Sequence, residues 1–495
     1  MALTSGVVVM KFGGTSVADA AAIRRLAGIV AAEQARTKRA PIVVVSALAG
    51  VTDTLLALAR ASVAGDRAVV QKGVEDIGRR HAEAAAELLE PSGAAAVLDA
   101  LAVQVEELLA VLTAVSILRE ASPRSLDGIA STGELLSSRL VAAALEESGI
   151  RSAWVDARRV IATDEAYTCA APLPGPTREA VSREIVPVLE AGQVPVLGGY
   201  VGATAEGVTT TLGRGGSDYS AAIVAAAVRD ILLGAARAPS PDSDDSTATT
   251  DTPPPEIQIW TDVDGMLTAD PRIVHAPRVV PQLSFGEASE LAYFGAKVLH
   301  PSTILPAVER DIPVRILNSR RPEGAGTLIT SGAVSSERPI AALACKRNIT
   351  VIDVTSTRML MAHGFLRRLF EVFERCSTPV DVVTTSEVSV SVTVDDDRSL
   401  EAIISALRVF AEVLVERDMA ILCVVGDRLR GDPALAVRLL GSLEGFPLRM
   451  VSQAASRRNL TVVLHERDLG DAMTRLHGVW FSEPAGTLAE AGAGA

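Results

Sequence analysis

One pattern narrows the choice of fold more than any other: short apolar runs without polar alternation, each ending in a polar, mostly glycine-bearing turn. Val7-Val8-Val9-Met10-Lys11-Phe12 runs into Gly13-Gly14-Thr15-Ser16, and a helical pattern follows from about Ala18 to Ala35. Pro41 to Ser46 is a second run, closing on Ala47-Leu48-Ala49-Gly50-Val51-Thr52. Further strand candidates lie at Ser152–Val155, Val194–Leu197, Ile257–Asp262 and Val314–Leu317. Strands apolar on both faces and separated by helices predict an α/β fold, a mostly parallel sheet sandwiched by helices. Ligands of such sheets bind beyond the carboxyl ends of the strands, where the polar turns fall.

The densest polar stretch is Thr209-Thr210-Thr211-Leu212-Gly213-Arg214-Gly215-Gly216-Ser217-Asp218-Tyr219-Ser220, which runs into the apolar helical pattern Ala221 to Val228. Glycines let a backbone approach a ligand closely, and a helix start offers free N–H groups to an anion. A glycine-rich turn with a capped helix reads equally well from this stretch alone.

Thr54 to about Glu120 reads as a helical region broken near Pro91-Ser92-Gly93, and Ser131-Thr132-Gly133-Glu134 is expected to open another helix. Residues 237–255 are rich in Pro, Ser and Asp and read as a disordered surface insertion. From Ile340 onward, short strands and short helices recur as two successive ferredoxin-like units. The expected division is a first, larger domain over 1–335, a pair of small domains over 336–483 and a flexible tail over 484–495.

At 495 residues the chain is too long for one ordinary domain. No uncharged apolar run of spanning length and no secretory leader is visible, so a soluble, cytoplasmic protein is expected. Cys169, Cys345, Cys376 and Cys423 are widely spaced and read as reduced thiols, and scattered histidines give no metal site. The net charge of −13 argues against a nucleic-acid partner, though a few local cations suffice for a small anion. Neither GxxxxGK[ST] nor a GxGxxG after a strand occurs, which leaves the common phosphate loop and the dinucleotide fold unsupported.

Four segments in order, Lys11 to Val17, Thr209 to Ser220, Thr261-Asp262-Val263-Asp264-Gly265 and Phe294-Gly295-Ala296-Lys297-Val298-Leu299-His300-Pro301, resemble the amino-acid kinase family. Within it the chain resembles the aspartate kinases, in their monofunctional, lysine-sensitive form with two C-terminal ACT domains. The resemblance implies ATP-dependent phosphorylation of the β-carboxylate of L-aspartate, the first step toward lysine, threonine and methionine. A carboxylate nucleophile is already ionised at neutral pH, so catalysis consists mainly of positioning and charge neutralisation. The resemblance places Lys11 on the transferring phosphoryl group and gives Asp218 the orienting of Lys11 or of a Mg²⁺-bound water. It implies substrate contacts from Thr52, Glu134, Tyr200, Arg214, Gly215, Gly216 and Ser217. Arg214 would grip the α-carboxylate and Glu134 the ammonium; a helix first-turn glutamate is the competing reading of Glu134. Tyr200 stands where the family often has phenylalanine. For ATP it implicates Lys11, Gly13, Gly14, Ser46, Thr261, Asp262, Leu267, Arg272, Lys297 and Val298, with Leu267 where relatives often carry tyrosine. Mg²⁺ is expected to be held chiefly by ATP oxygens and water, with no protein ligand identified.

In the C-terminal part, Met359, Gly364, Phe365, Leu366, Val380, Asp381, Thr385, Ser386 and Glu387 resemble a lysine-binding ACT site, with threonine or no effector as alternatives. ACT domains usually pair, so a homodimer is expected and a tetramer is a further arrangement. Another carboxylate kinase such as glutamate 5-kinase, and a catalytically silent amino-acid sensor, are the rival readings.

Overall fold

The computed structural model describes residues 6–237, 254–295, 301–332, 339–356, 363–427, 429, 431–453 and 456–481. The expected insertion lies largely outside them, and so does the tail beyond Phe481. The chain divides into two units, Met1–Gly265 with Leu299–Gly332, and Met266–Val298 with Ala333–Ala495.

In the first unit the strands lie in the order Ser152–Trp154, Val194–Gly198, Ile42–Val45, Val8–Phe12, Glu256–Thr261, Val314–Asn318, Thr327–Thr330. All neighbours pair in parallel except the last pair, which is antiparallel. Val8–Phe12, Ile42–Val45 and Val194–Gly198 are buried throughout, as expected of strands covered on both faces. Parallel pairing sends their carboxyl ends to one edge, so Gly13, Ser46, Gly199 and Asp262 emerge there together. A small antiparallel hairpin, Val201–Ala203 with Thr209–Thr211, leads into the helix Gly216–Arg237.

The helical region contains three helices, Val51–Ala64, Arg67–Leu88 and Pro91–Leu118. The break at Pro91 is the expected one; the other falls at Gly65, whose φ of 79° suits glycine, with Asp66 capping the next helix. Gly93–Leu118 is long and apolar enough to cross a membrane. In this unit, however, it buries Ala94, Leu101, Leu108, Leu112 and Val115 in the core and keeps Glu106 and Glu107 exposed.

One expectation fails. Ser131 does not open a helix; it lies inside Pro123–Glu147, which starts from the cap Ser122 and the first-turn Pro123. Gly133 looks like a breaker in sequence, but it is there for space, since a Cβ would lie 2.7 Å from the Ala47 Cβ. Glu134 is therefore mid-helix, and the first-turn reading of it falls with that boundary.

The second unit has a six-stranded antiparallel sheet, ordered Val383–Thr385, Ser389–Val394, Ala342–Thr355, Glu412–Val425, Asn459–His465, Leu448–Gln453. Its two central strands, 14 residues each, are longer than the expected Asn348–Val354 and Ala420–Val425. They run through both ferredoxin-like modules, with register shifts between Lys346 and Val351 marking the passage from one to the other. Helices Phe365–Arg375 and Leu400–Leu407 cover one core cluster, and Pro433–Gly441 and Glu466–Phe481 another.

Residues 266–295 fall in this second unit, not in the first as a boundary near 335 implied. Ala269 and Val274 join the core of the second module. The Thr268 carbonyl accepts from Leu343 N at 2.8 Å, and its hydroxyl lies 2.8 Å from His477 Nε2.

Candidate active site

At the strand-end edge of the first unit, one cavity of about 640 Å³ is lined by Lys11, Gly14, Ser46, Thr52, Glu134, Tyr200 and the run Gly213–Asp218. Segments far apart in sequence reach it because their strands are neighbours. The Lys11 ammonium lies 2.8 Å from Asp218 Oδ1, and both side chains are mostly buried. Gly14 lets the loop pass close to the next one, since a Cβ there would lie 3.1 Å from Ala47 O.

Two helices begin at the cavity. Val51–Ala64 starts after Gly50, which has a φ of 79°, and Gly216–Arg237 starts with Gly216 and Ser217 on the lining. Their free N–H groups and positive dipole ends favour an anion between them. Glycines hold the geometry. A Cβ on Gly199 would lie 2.6 Å from Ser217 Cβ, and one on Gly216 2.5 Å from Tyr200 Cδ2. Tyr200 itself adopts a φ of 66° and donates its backbone N–H to Ser220 Oγ at 2.8 Å.

Glu134 is 3% exposed and its Oε2 has no partner. Burial pushes its pKa up to about 8, while a hydrogen bond from Ala47 N–H and the charge of Lys11 act the other way. An orphaned buried carboxylate oxygen on a cavity wall suits an incoming cationic donor such as an ammonium group. Arg214 is exposed on the lining and has no ion-pair partner among the described residues. The cavity thus offers one free cation, one half-satisfied carboxylate and one preformed Lys–Asp pair.

Of the residues expected at the nucleotide, Thr261 ends the strand beside Val8–Phe12, with its hydroxyl 3.3 Å from Asp262 Oδ1, and neither lines the cavity. Leu267 and Arg272 belong to the second unit, where Arg272 pairs with Asp270 at 2.6 Å. Lys297 and Val298 lie outside the described residues, as does Met359. No group of three His, Cys, Asp or Glu side chains placed to hold a metal ion occurs among the described residues.

Of the residues expected at an effector site, Gly364 has a φ of 83° and precedes the helix Phe365–Arg375. Phe365 packs edge-on against Phe410, and Leu366 is exposed. Asp381, its side chain 4% exposed, meets Lys346 Nζ at 2.6 Å and accepts a hydrogen bond from Tyr293 Oη at 3.0 Å. Lys346 also reaches Asp395 at 3.2 Å and sits over the Tyr293 ring. Val380 is partly buried against the module core, and Thr385 ends a strand. Ser386 closes the following turn onto Ser389, with Glu387 exposed.

Several residues that shape the cavity had no local signal in the sequence. Arg80 donates to Ala49 O at 2.8 Å and to Ala18 O at 2.9 Å, fixing the loop that leads into the helix start bearing Thr52. Ser137 Oγ donates to Ser46 O at 2.8 Å. Asp127 and Thr168 belong to the same group.

Comparison with known proteins agrees with this architecture. The model of the amino acid kinase family matches residues 6–230 and 254–318, and an ACT domain model matches residues 422–479. Lysine-sensitive aspartokinase 3 of Escherichia coli is 35% identical, over 96% of this chain and 100% of its own length. Chloroplastic aspartokinase 3 of Arabidopsis thaliana is also 35% identical, over 96% of this chain and 81% of its own. Among solved structures, E. coli aspartokinase III in complex with lysine and aspartate superposes with a TM-score of 0.78 at 34% identity, covering 96% of this chain and 99% of that one. The same enzyme with aspartate and ADP gives 0.75 at 34% identity, with coverages of 96% and 100%. With sheet order, cavity and both family matches in agreement, the chain belongs to the amino acid kinase family and, within it, to the ACT-bearing aspartokinases.

Proposed function

We propose that the cavity at the strand ends is where this aspartokinase transfers the γ-phosphoryl group of ATP to the β-carboxylate of L-aspartate. The observation that carries this reading is the Lys11–Asp218 pair facing the same cavity as Arg214 and Glu134. Arg214 takes the α-carboxylate of aspartate, for which its planar fork is suited. The ammonium group of aspartate goes to the orphaned Oε2 of Glu134. Thr52, Tyr200, Gly215, Gly216 and Ser217 complete the substrate wall, which leaves the β-carboxylate toward Lys11.

A β-carboxylate oxygen attacks the γ-phosphorus in line, the bond from that phosphorus to the β–γ bridging oxygen breaks, and ADP leaves with that electron pair. Lys11 neutralises charge on the phosphoryl oxygens, held in line by Asp218. Gly13, Gly14 and Ser46 border the phosphates. Thr261, Asp262, Leu267, Arg272, Lys297 and Val298 are the remaining proposed nucleotide residues. Mg²⁺, carried by the ATP oxygens and water, supplies further charge neutralisation.

Lysine is the proposed effector, with its ammonium at Asp381 and its α-carboxylate at the backbone N–H groups after Gly364. A homodimer formed through the ACT modules, in the cytoplasm, completes the reading. The test is hydroxamate formation from aspartate, Mg-ATP and hydroxylamine. Wild type should form it, while Lys11→Ala and Asp218→Ala should each lower kcat by at least about 10²-fold. No aspartate-dependent turnover in the wild type would overturn the proposal.

A further inference from the structure

Asp127 is 1% exposed and stands early in the helix that also carries Glu134. Thr168 N donates to both of its carboxylate oxygens, at 3.0 and 2.9 Å. Thr211 adds its backbone N–H at 3.0 Å and its hydroxyl at 2.6 Å. All of these donors come from two segments: the hairpin strand that precedes Gly213–Asp218, and the loop that places Thr168 on the cavity wall.

That loop is tied at its base. Asp164 Oδ1 accepts from Ala166 N at 3.1 Å and from Ala171 N at 2.9 Å, and Asp164 N donates to Ala171 O at 3.0 Å. Ala170 N donates to Thr211 O at 2.9 Å, fastening the loop to the hairpin as well. At its tip Thr168 has a φ of 72°. For a β-branched residue this left-handed conformation is a real outlier, and such residues persist only where their surroundings over-determine them. The surroundings here are the buried carboxylate. The loop also abuts the glycine run, because a Cβ on Gly213 would lie 3.3 Å from both Thr168 O and Cys169 Sγ.

A turn alone would be served better by glycine at this position. We infer that Thr168 is a substrate-positioning residue whose hydroxyl hydrogen-bonds the carboxylate gripped by Arg214, and that Asp127 is the buried positioning residue that holds it at the cavity wall. Thr52, Tyr200 and Ser217 supply the other hydroxyl groups among the substrate residues of the lining, so Thr168 extends that wall on the Gly213 side. The inference rests on the aspartate kinase reading above.

The experiment measures KM for aspartate and for ATP, with kcat, in wild type, Thr168→Ser, Thr168→Ala, Thr168→Gly and Asp127→Asn. Thr168→Ala and Thr168→Gly should raise KM for aspartate roughly tenfold, the loss expected for one hydrogen bond to a charged group. KM for ATP should stay within about twofold, and Thr168→Ser should recover the wild-type KM for aspartate. Thr168→Gly should also melt at a higher temperature, because its backbone takes a positive φ without strain. Asp127→Asn should raise KM for aspartate as well, since an amide presents donors to groups that themselves donate. An unchanged KM for aspartate in Thr168→Ala and Thr168→Gly, or an equal rise in both KM values, would overturn the inference. If Asp127→Asn does not fold, the Thr168 series decides alone. A wild type without aspartate turnover sinks the parent reading instead, a result distinguishable from an active wild type with indifferent variants.

Discussion

On the proposed reading, Glu134 must change its charge state when the substrate ammonium binds. In the unliganded protein its pKa is near 8, so at neutral pH it holds a proton, and binding an ammonium requires that proton to leave. The expected outcome is a KM for aspartate that falls as pH rises from about 6.5 to about 8.5, with Glu134→Gln raising KM and flattening the profile. A pH-independent KM in the wild type would count against an ionising Glu134. The sign for stability is the opposite one. A carboxyl whose folded pKa exceeds its unfolded value binds its proton more tightly when folded, so stability falls as pH rises from the ordinary carboxylate range to about 8. Thermal melts of Glu134→Gln should lose that slope. Lys11, Arg214 and Asp218 could be singled out from the sequence because they lie in glycine-bearing segments that resemble those of the kinase family. Asp127 and Arg80 could not, because their partners lie dozens of residues away and nothing local marks them.

Among the elements, the helix Pro123–Glu147 does the most to organise the first unit, since it is buried along most of its length and bears both Asp127 and Glu134. A start at Ser131 fails because Gly133 interrupts the helical pattern in sequence, and only the packed structure shows that Gly133 is a contact point for Ala47. The main parallel strands, by contrast, were legible as apolar runs that need both faces covered, whereas their order in the sheet was not, because it rests on pairing between distant segments. The strand ending at Gly198 makes a second such contact through its next residue. Gly199→Ala would press a methyl group against Ser217 at 2.6 Å from Cβ and 2.7 Å from backbone Cα. It should push Gly213–Asp218 off the cavity wall, cost about 1–3 kcal/mol in denaturant unfolding, and lower kcat/KM for aspartate more than it lowers stability. Full activity in a soluble Gly199→Ala protein would show that the close approach has no part in the site.

For the whole molecule, the proposed lysine response is an equilibrium property and must be measured as a coupling. Lysine should inhibit the aspartate kinase assay, and Asp381→Ala should relieve that inhibition while leaving turnover without lysine intact. That substitution also leaves Asp395 as the one carboxylate beside the Lys346 ammonium among the described residues, so the variant protein should be checked by its melting temperature first. If millimolar lysine neither binds nor inhibits, the regulatory proposal fails and the catalytic one stands. The sequence showed two modules in this region, but not that long strands fuse them into one sheet, because residues 342–347 and 412–419 carry no apolar alternation of their own.

The path of the chain has a practical side. It leaves the first unit after Gly265, returns at Leu299 and leaves again after Gly332, so residues 266–298 are a loan from one unit made in the middle of the other. No single cut separates a catalytic fragment from a regulatory one. A protein ending at Gly332 would retain Ala269 and Val274 without the core they fill, and Thr268 without His477. Such a fragment should aggregate on expression, and supplying residues 333–495 as a second polypeptide should restore its solubility.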